Sequence, residues 1–305
     1  MPPVDVVVVS FNSQAALRAC VEPLAGADHL NVVVVDNASH DESLATIADL
    51  PISVFPLKAN VGFGAGCNVG WRSTSSPYVL FLNPDARMSP AAIRELANHA
   101  EQRSSIAALG PRLVTASGDL DYSLRRFPRL RSTFARALFL HRLWPNASWV
   151  DEVIRDPVAY GEPHAVDWVT GACLLVHRTA LEAVGGFDER FFVYGEDKDL
   201  CARLWAAGYE VAYEPSIVCG HEGGAGSGAS VGTRRILLTK SRLLYANVHC
   251  TRSVAFLESL GLALESLVRL VIGPGGVRGR RVRLDELRVI GGTLRSMASG
   301  SSPFV

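Results

Sequence analysis

The sequence has no excess of either charge: 30 Lys and Arg balance 30 Asp and Glu over 305 residues. Bulk charge therefore points away from a nucleic-acid partner. Lysine is scarce, with only three among the 30 basic residues, a bias read here as genomic composition. The six cysteines form no CxxC pair; several lie in apolar runs, where a thiol packs as a small hydrophobe, and a reduced, cytosolic setting is expected. No basic segment followed by an apolar one opens the chain. Met1-Pro2-Pro3 leads straight into a strand-like run containing Asp5, so secretion is not expected. Long hydrophobic runs are also missing: residues 254–272, the longest apolar stretch near the C-terminus, contain Glu258, Glu265 and Arg269 and cannot cheaply span a bilayer. Neither GxGxxG after a first strand nor GxxxxGK[ST] occurs, which removes the dinucleotide fingerprint and the P-loop.

What is present is a globular composition, 48% hydrophobic and 20% charged, sufficient for a sizeable core. The length suits two domains, or one large α/β domain with an appendage. Charge is unevenly spread: residues 1–227 hold 18 basic and 26 acidic side chains, residues 228–305 hold 12 and 4. A body of net −8 thus carries a tail of net +8, an asymmetry that needs a reason.

Short β-branched or aromatic runs at 6–9, 32–35, 52–55 and 78–82 suit strands buried on both faces. Helical patterns at 13–24, 41–50 and 64–73 lie between them, and Ser89-Pro90 predicts the cap and first position of a fourth helix. This βαβα order predicts an α/β fold with an open, mostly parallel, Rossmann-like sheet covered by helices on both faces. Ligands in such sheets bind beyond the carboxyl ends of the strands.

Polar residues stop three of these strands: Ser10-Phe11-Asn12, Asp36-Asn37-Ala38-Ser39 and Asn83-Pro84-Asp85. Each alone serves as a cap or turn; three in succession mark a site. Asn60-Val61-Gly62-Phe63-Gly64 lets backbone approach a phosphate or ribose at a helix entry. Further on, Glu196, Asp197 and Asp199 open a helix with apolar positions Leu200, Leu204 and Trp205. That acidic turn either favours the helix dipole or offers a general base in an aromatic-lined cleft. His221 follows a strand-like run at 210–213 and precedes a Gly/Ser loop.

Taken in order, VVVVSFNS, VVVVDNAS, NVGFGAGCNVG, FLNPDA, GACLLVHR and VGGFDERFFVYGEDKDL, with the later His221, resemble the family 2 glycosyltransferases of GT-A fold over roughly residues 4–225. SGDLDYSLRRFP, DWVTGACLLVHR and GFDERFFVYGEDKDLCARL are similar to bacterial rhamnosyltransferases acting on lipid-diphosphate-linked sugars. The resemblance implies a GT-A domain at 1–227, with a nucleotide-sugar half at 1–115 and an acceptor and catalytic half at 116–227. A basic helical extension at 228–305 follows. It implies that Ser10, Asn12, Asp36, Asn60, Gly62, Asn83 and Asp85 line the nucleotide-sugar pocket. Asp85 and His221 would hold Mg²⁺ or Mn²⁺, Asp85 being the one carboxylate of Asn83-Pro84-Asp85. Asp197 matches the general-base position, with Glu196 as the alternative.

The implied reaction is a metal-dependent, inverting transfer of L-rhamnose from dTDP-rhamnose to a lipid-linked or polysaccharide acceptor in cell-wall or surface-glycan assembly. Another sugar, such as galactofuranose from a UDP donor, is the runner-up. A sugar-phosphate nucleotidyltransferase normally has a basic glycine-rich loop after the first strand, where this chain has Ser10-Phe11-Asn12-Ser13. A noncatalytic sugar-nucleotide binder needs no base. Arg125, Arg126, Trp168 and Asp199 are candidate acceptor contacts; the arginines suit a diphosphate or a solvated loop, and the tryptophan suits a sugar ring or the core. In the tail, Val254, Leu257, Leu260, Leu264, Leu267, Val268 and Val271 form an apolar stripe ahead of Arg278, Arg280, Arg281 and Arg283. This is either a helix packed on the body or an interfacial helix with a basic anchor on the cytoplasmic face of the cell membrane.

Overall fold

The computed structural model describes residues 2–223, 230–272 and 276–299. In chain order the elements are β1 (Val4–Ser10), α1 (Leu17–Val21), β2 (Leu30–Asp36), β3 (Ser53–Pro56), α2 (Phe63–Arg72), β4 (Tyr78–Leu82), β5 (Ala86–Arg87), α3 (Pro90–Glu101) and β6 (Ile106–Val114). Then come β7 (Leu124–Arg125), α4 (Leu130–Ala137), α5 (Leu140–Leu143), β8 (His164–Ala165), β9 (Trp168–Val169), β10 (Cys173–His177), α6 (Arg178–Ala183), α7 (Glu196–Ala206) and β11 (Glu210–His221). Three long helices close the chain: α8 (Val231–His249), α9 (Arg252–Ile272) and α10 (Gly276–Ser299). The contacts divide into two compact units, one of residues 1–125, 156–192 and 196–228, the other of 126–155, 193–195 and 229–305. Residues 126–155, expected in the acceptor half, thus group with the C-terminal helices, and the boundary expected at 227–228 lies outside the described residues.

The first unit is built on a sheet in the order β3-β2-β1-β4-β10-β6-β11-β5, with β8 paired to β11. β3, β2, β1 and β4 run parallel, β10 runs antiparallel between β4 and β6, and β6 is parallel to β11. Every residue of β1 and β4 is buried, which explains why both read as unbroken apolar runs. Asp5 lies inside that buried strand because its carboxylate is fully engaged. It accepts from Ser76 N at 2.7 Å, Ser76 Oγ at 2.9 Å, Asn31 Nδ2 at 2.8 Å and Arg178 Nη2 at 2.9 Å.

Two expected helices are cut short. The segment 13–24 keeps only the five residues of α1, with Pro23 following its C-cap, where no amide hydrogen remains to continue the ladder. The segment 41–50 holds only the 3-10 turn Ala45–Ile47. Asp41 Oδ2 accepts from Gln14 N and Asp41 Oδ1 from Ser43 N, both at 3.1 Å, so side chains satisfy the backbone that a helix would have used. Ser89 caps α3 as expected, accepting from Ala92 N at 3.2 Å with Pro90 following. β11 runs far beyond 213: a register shift between Glu214 and Val218 lets it resume pairing with β6 and reach β5.

Candidate active site

The polar residues at the strand ends are buried and only partly satisfied. Ser10 and Asp36 are register partners at the ends of β1 and β2. Ser10 Oγ and Asp36 Oδ1 are buried without a hydrogen-bond partner, while Asp36 Oδ2 accepts from Ser39 N at 3.1 Å. The Ser10 hydroxyl can donate or accept and the Asp36 oxygen accepts, so these adjacent strand ends offer unpaired polar atoms to a ligand or to water. Asn12 takes the left-handed region at φ 50°. Its Oδ1 accepts from His40 N at 2.8 Å and its N donates to Ser39 Oγ at 2.9 Å, so it ties the first two strand-end loops together.

The glycine-rich entry to α2 is a scaffold. Asn37 Nδ2 donates to Asn60 Oδ1 at 2.9 Å and to Gly62 O at 3.1 Å; Asn37 Oδ1 accepts from Val61 N at 2.8 Å. Asn60 Oδ1 also accepts from Gly62 N at 3.0 Å, so this side chain is spent on its own loop. Gly62 has φ 93° and a Cβ there would meet Phe192 O at 2.3 Å. Asn60 shapes this loop through Oδ1, and Gly62 packs against the Phe192 backbone. Asn37, part of the polar stop after β2, is the residue that organises them.

Asn83 acts through its backbone, Asn83 N donating to Ala172 O at 2.9 Å. Two residues on, Asp85 is buried and its Oδ1 has no hydrogen-bond partner. The β5–β11 ladder sets His221 opposite Ala86, which brings His221 Nε2 to 3.6 Å from Asp85 Oδ1. On the other side of the ring, His221 Nδ1 meets Asp121 Oδ2 at 2.9 Å. Burial lowers the affinity of His221 for a proton, but the Asp121 hydrogen bond and the Asp85 charge outweigh it and raise its pKa. The same hydrogen bond holds Asp121 below the ordinary carboxylate range against the opposing cost of burial. Sequence reasoning passed over Asp121, although it lies in the SGDLDYSLRRFP stretch.

An orphaned carboxylate oxygen facing an imidazole nitrogen, with the second ring nitrogen oriented by a carboxylate, fits a hard divalent cation. Among the described residues no group of three or more His, Cys, Asp and Glu side chains is arranged to hold a metal. Asp85 and His221 would be the two side chains to hold such a cation.

α7 presents its acidic residues to three different environments. Glu196 is buried against α2, where a Cβ on Gly64 would lie 3.3 Å from Glu196 Cβ, and its Oε2 has no partner. Burial and the neighbouring Asp197 charge push Glu196 well above the ordinary range. Asp199 is fully buried and accepts from Arg203 Nε at 2.8 Å and Nη2 at 2.6 Å, while Arg203 Nη1 donates to the carbonyls of Val184 and Gly186, both at 2.7 Å. Asp199 is thus withdrawn from any acceptor, correcting that expectation. Asp197 is half-buried: its Oδ2 accepts from Gly171 N at 2.9 Å and its Oδ1 from Lys198 N at 2.8 Å. Burial raises its pKa, opposed by those two amides and by the charges of Lys198 and Arg125.

Gly171 and Ala172 join the two halves of the site. Gly171 N holds the Asp197 carboxylate, and the carbonyl of the next residue holds the loop that carries Asp85. Arg125, paired to Trp168 across the β7–β9 ladder, acts electrostatically on both Asp121 and Asp197. Trp168 itself is buried, with Lys198 Nζ 5.9 Å from its ring centre; it packs in the core and is not open to a sugar ring. Arg126 belongs to the other compact unit, where its N donates to Glu152 O at 2.7 Å.

Comparison with known proteins agrees with this geometry. The model of glycosyl transferase family 2 matches residues 5–157, and one described as the N-terminal domain of galactosyltransferase matches 159–219. The chain is 32% identical over 226 residues to the N-acetylglucosaminyl-diphospho-decaprenol L-rhamnosyltransferase of Mycobacterium tuberculosis, covering 69% of this chain and 73% of that one. It is 28% identical over 224 residues to the rhamnosyltransferase WbbL of Escherichia coli, covering 70% and 81%. Among solved structures, the mannosyltransferase PcManGT from Pyrobaculum calidifontis, in complex with GDP-Man and Mn²⁺, superposes with a TM-score of 0.56 at 16% identity, covering 97% of this chain and 84% of that one. An α/β sheet with buried polar residues at its strand ends, a matching family model and rhamnosyltransferase relatives lead to one assignment: the chain belongs to glycosyl transferase family 2, with the GT-A fold.

Proposed function

We propose that the chain transfers L-rhamnose from dTDP-rhamnose to a lipid-diphosphate-linked glycan in one displacement with inversion, with a divalent cation at Asp85 and His221. The observation that carries this reading is the attachment of the Asp197 carboxylate and the Asp85 loop to adjacent residues, Gly171 and Ala172. A cation bound at Asp85 and His221 supplies charge neutralisation for the departing diphosphate. Ser10 and Asp36 hold the nucleoside through their unpaired polar atoms. Asp197, oriented by the Gly171 amide, takes the proton of the acceptor hydroxyl as it attacks. Arg125 stands where its guanidinium favours the ionised form of Asp197 and offers a planar fork to the acceptor diphosphate. The rhamnose and lipid-diphosphate elements are supported by the names of the Mycobacterium tuberculosis and Escherichia coli relatives.

A donor competition tests the reading. With Mn²⁺ or Mg²⁺ and a decaprenyl-diphosphate acceptor bearing N-acetylglucosamine, dTDP-rhamnose should be consumed ahead of UDP-galactofuranose and UDP-glucose. Preference for a uridine donor would refute the rhamnose assignment and leave the family standing. Transfer undiminished in excess chelator would remove the cation.

A further inference from the structure

One helix of the second unit, α9, turns an apolar stripe outward. In α9 the buried face consists of Ala255, Glu258, Ser259, Gly261, Leu262, Glu265 and Ser266, while Phe256, Leu257, Leu260, Leu267 and Val271 are exposed. At 3.6 residues per turn the exposed set falls within an arc of roughly 100°, the width of the stripe a helix ordinarily buries. The charges point inward instead. Glu258 Oε2 accepts from Thr133 Oγ1 at 2.6 Å, and Glu265 pairs with Arg269 at 3.0 Å and Arg242 at 3.7 Å. From α10, Glu286 pairs with Arg283 at 2.8 Å and with Arg235 at 3.1 Å. The acidic residues of the tail are consequently hidden: Glu258, Glu265 and Glu286 are buried and Asp285 is half-buried, whereas Arg234, Lys240, Arg252, Arg280, Arg281 and Arg295 are exposed. The side chain of Arg278 lies outside the described residues.

A groove extends this face, and the same unit exposes a second apolar segment. A groove of about 530 Å³ lined by Arg252, Ser253, Phe256, Leu257, Met297 and Ala298 opens beside the start of α9. On the buried side of α9, Arg269 lies over Phe139 with 4.9 Å from Cζ to the ring centre. The segment around Phe139 exposes Leu138, Leu143, Trp144 and Trp149, and exposed tryptophan beside apolar surface is the side chain favoured at a lipid–water boundary.

We infer that the exposed face of α9, with the groove at its start, docks on an anionic lipid bilayer. Charge complementarity selects this occupant: Arg252 lines the groove and the other exposed tail charges named above are basic, so a second copy would bring like charges together, whereas an anionic surface neutralises them. No helix among the described residues is long and apolar enough to cross a membrane, so the contact is peripheral, with α9 lying along the interface. The inference stands apart from the donor and acceptor assignments, since every residue in it belongs to the second unit.

Flotation of the full chain tests it, using phosphatidylglycerol–phosphatidylcholine vesicles against pure phosphatidylcholine. The chain should float with the anionic vesicles and lose that binding in high salt. Leu260→Ser/Leu267→Ser should lower the partition coefficient about tenfold, and Arg280→Gln/Arg281→Gln should weaken it on anionic vesicles alone. Unchanged thermal melting and donor hydrolysis in both variants would exclude misfolding as the cause. Flotation unaffected by either pair, or none by the parent chain, overturns the inference. So does a concentration-dependent dimer that the leucine pair dissolves, which would assign the face to a second copy.

Discussion

His221 Nε2 lies 3.6 Å from Asp85 Oδ1 because antiparallel pairing of β11 with β5 sets His221 against Ala86. The imidazole is then fixed from its other side by Asp121, 2.9 Å from Nδ1. A carboxylate that orients a metal-ligating histidine typically changes metal affinity about 10–100-fold when removed. Asp121→Asn should therefore raise the Mn²⁺ concentration needed for half-maximal donor turnover by about that factor, and Asp85→Asn should abolish the response. Mn²⁺ binding followed by electron paramagnetic resonance should weaken in parallel. If Asp121→Asn leaves both measurements unmoved, His221 is not a ligand.

Gly62 carries the sharpest steric demand near the pocket: φ is 93° and an added Cβ would lie 2.3 Å from Phe192 O, a backbone atom. Gly62→Ala should destabilise the first unit by about 2 kcal/mol or more, combining left-handed strain with displacement of the 192 backbone. Val61→Ala, at an exposed neighbour, is the control. Equal urea midpoints for the two variants would mean that the loop yields freely.

Much of this was legible in the sequence because the signals were local. β-branched runs found the first four strands, although β3 is an exposed edge strand and not buried on both faces, and polar stops pointed to Ser10, Asp36 and Asp85, each buried with an unpaired oxygen. Long-range relations were not legible. Asp121 and His221 are joined only by the course of β11 after its register shift past Glu214. Glu196, Asp197 and Asp199 share one chemistry in the sequence, yet each step of one residue turns a helical side chain by roughly 100°. One carboxylate therefore faces α2, one faces Gly171 and one faces Arg203. The apolar stripe of α9 was equally plain, but its outward direction depends on Thr133, Arg136 and Arg242 satisfying Glu258 and Glu265.

The Asp5–Arg178 pair predicts a second stability effect. Both side chains are buried, at 1% and 11% exposure, with 2.9 Å between them. Removing one partner strands the other's charge, and Asp5→Ala should cost about 3–5 kcal/mol. Asp5→Ala combined with Arg178→Met removes both charges and should lose less than the two single changes together. Strict additivity in chemical denaturation would show that the pair is uncoupled.

The final prediction concerns which α7 carboxylate takes the proton. Asp197 accepts from the amides of Gly171 and Lys198 and has the Arg125 charge nearby. Glu196 is more deeply buried, its Oε2 lacks any partner, and the Asp197 charge adds to the burial that drives its pKa up. Of the two, Asp197 is therefore the one that ionises first. Asp197→Asn should lower kcat by about 10²–10⁴ with donor binding retained, whereas Glu196→Gln keeps substantial transfer. The sign of the pH effect follows from burial: it raises the Asp197 pKa above its ordinary value of 3.8. At saturating metal, transfer should accordingly decline on acidification at a higher pH than an unperturbed aspartate would give. Arg125 opposes that rise, so Arg125→Met should move the acid limb to still higher pH, separately from any increase in the acceptor KM. An acid limb that stays in place in Arg125→Met, or loss of transfer in Glu196→Gln with activity kept in Asp197→Asn, would give the proton to a different group.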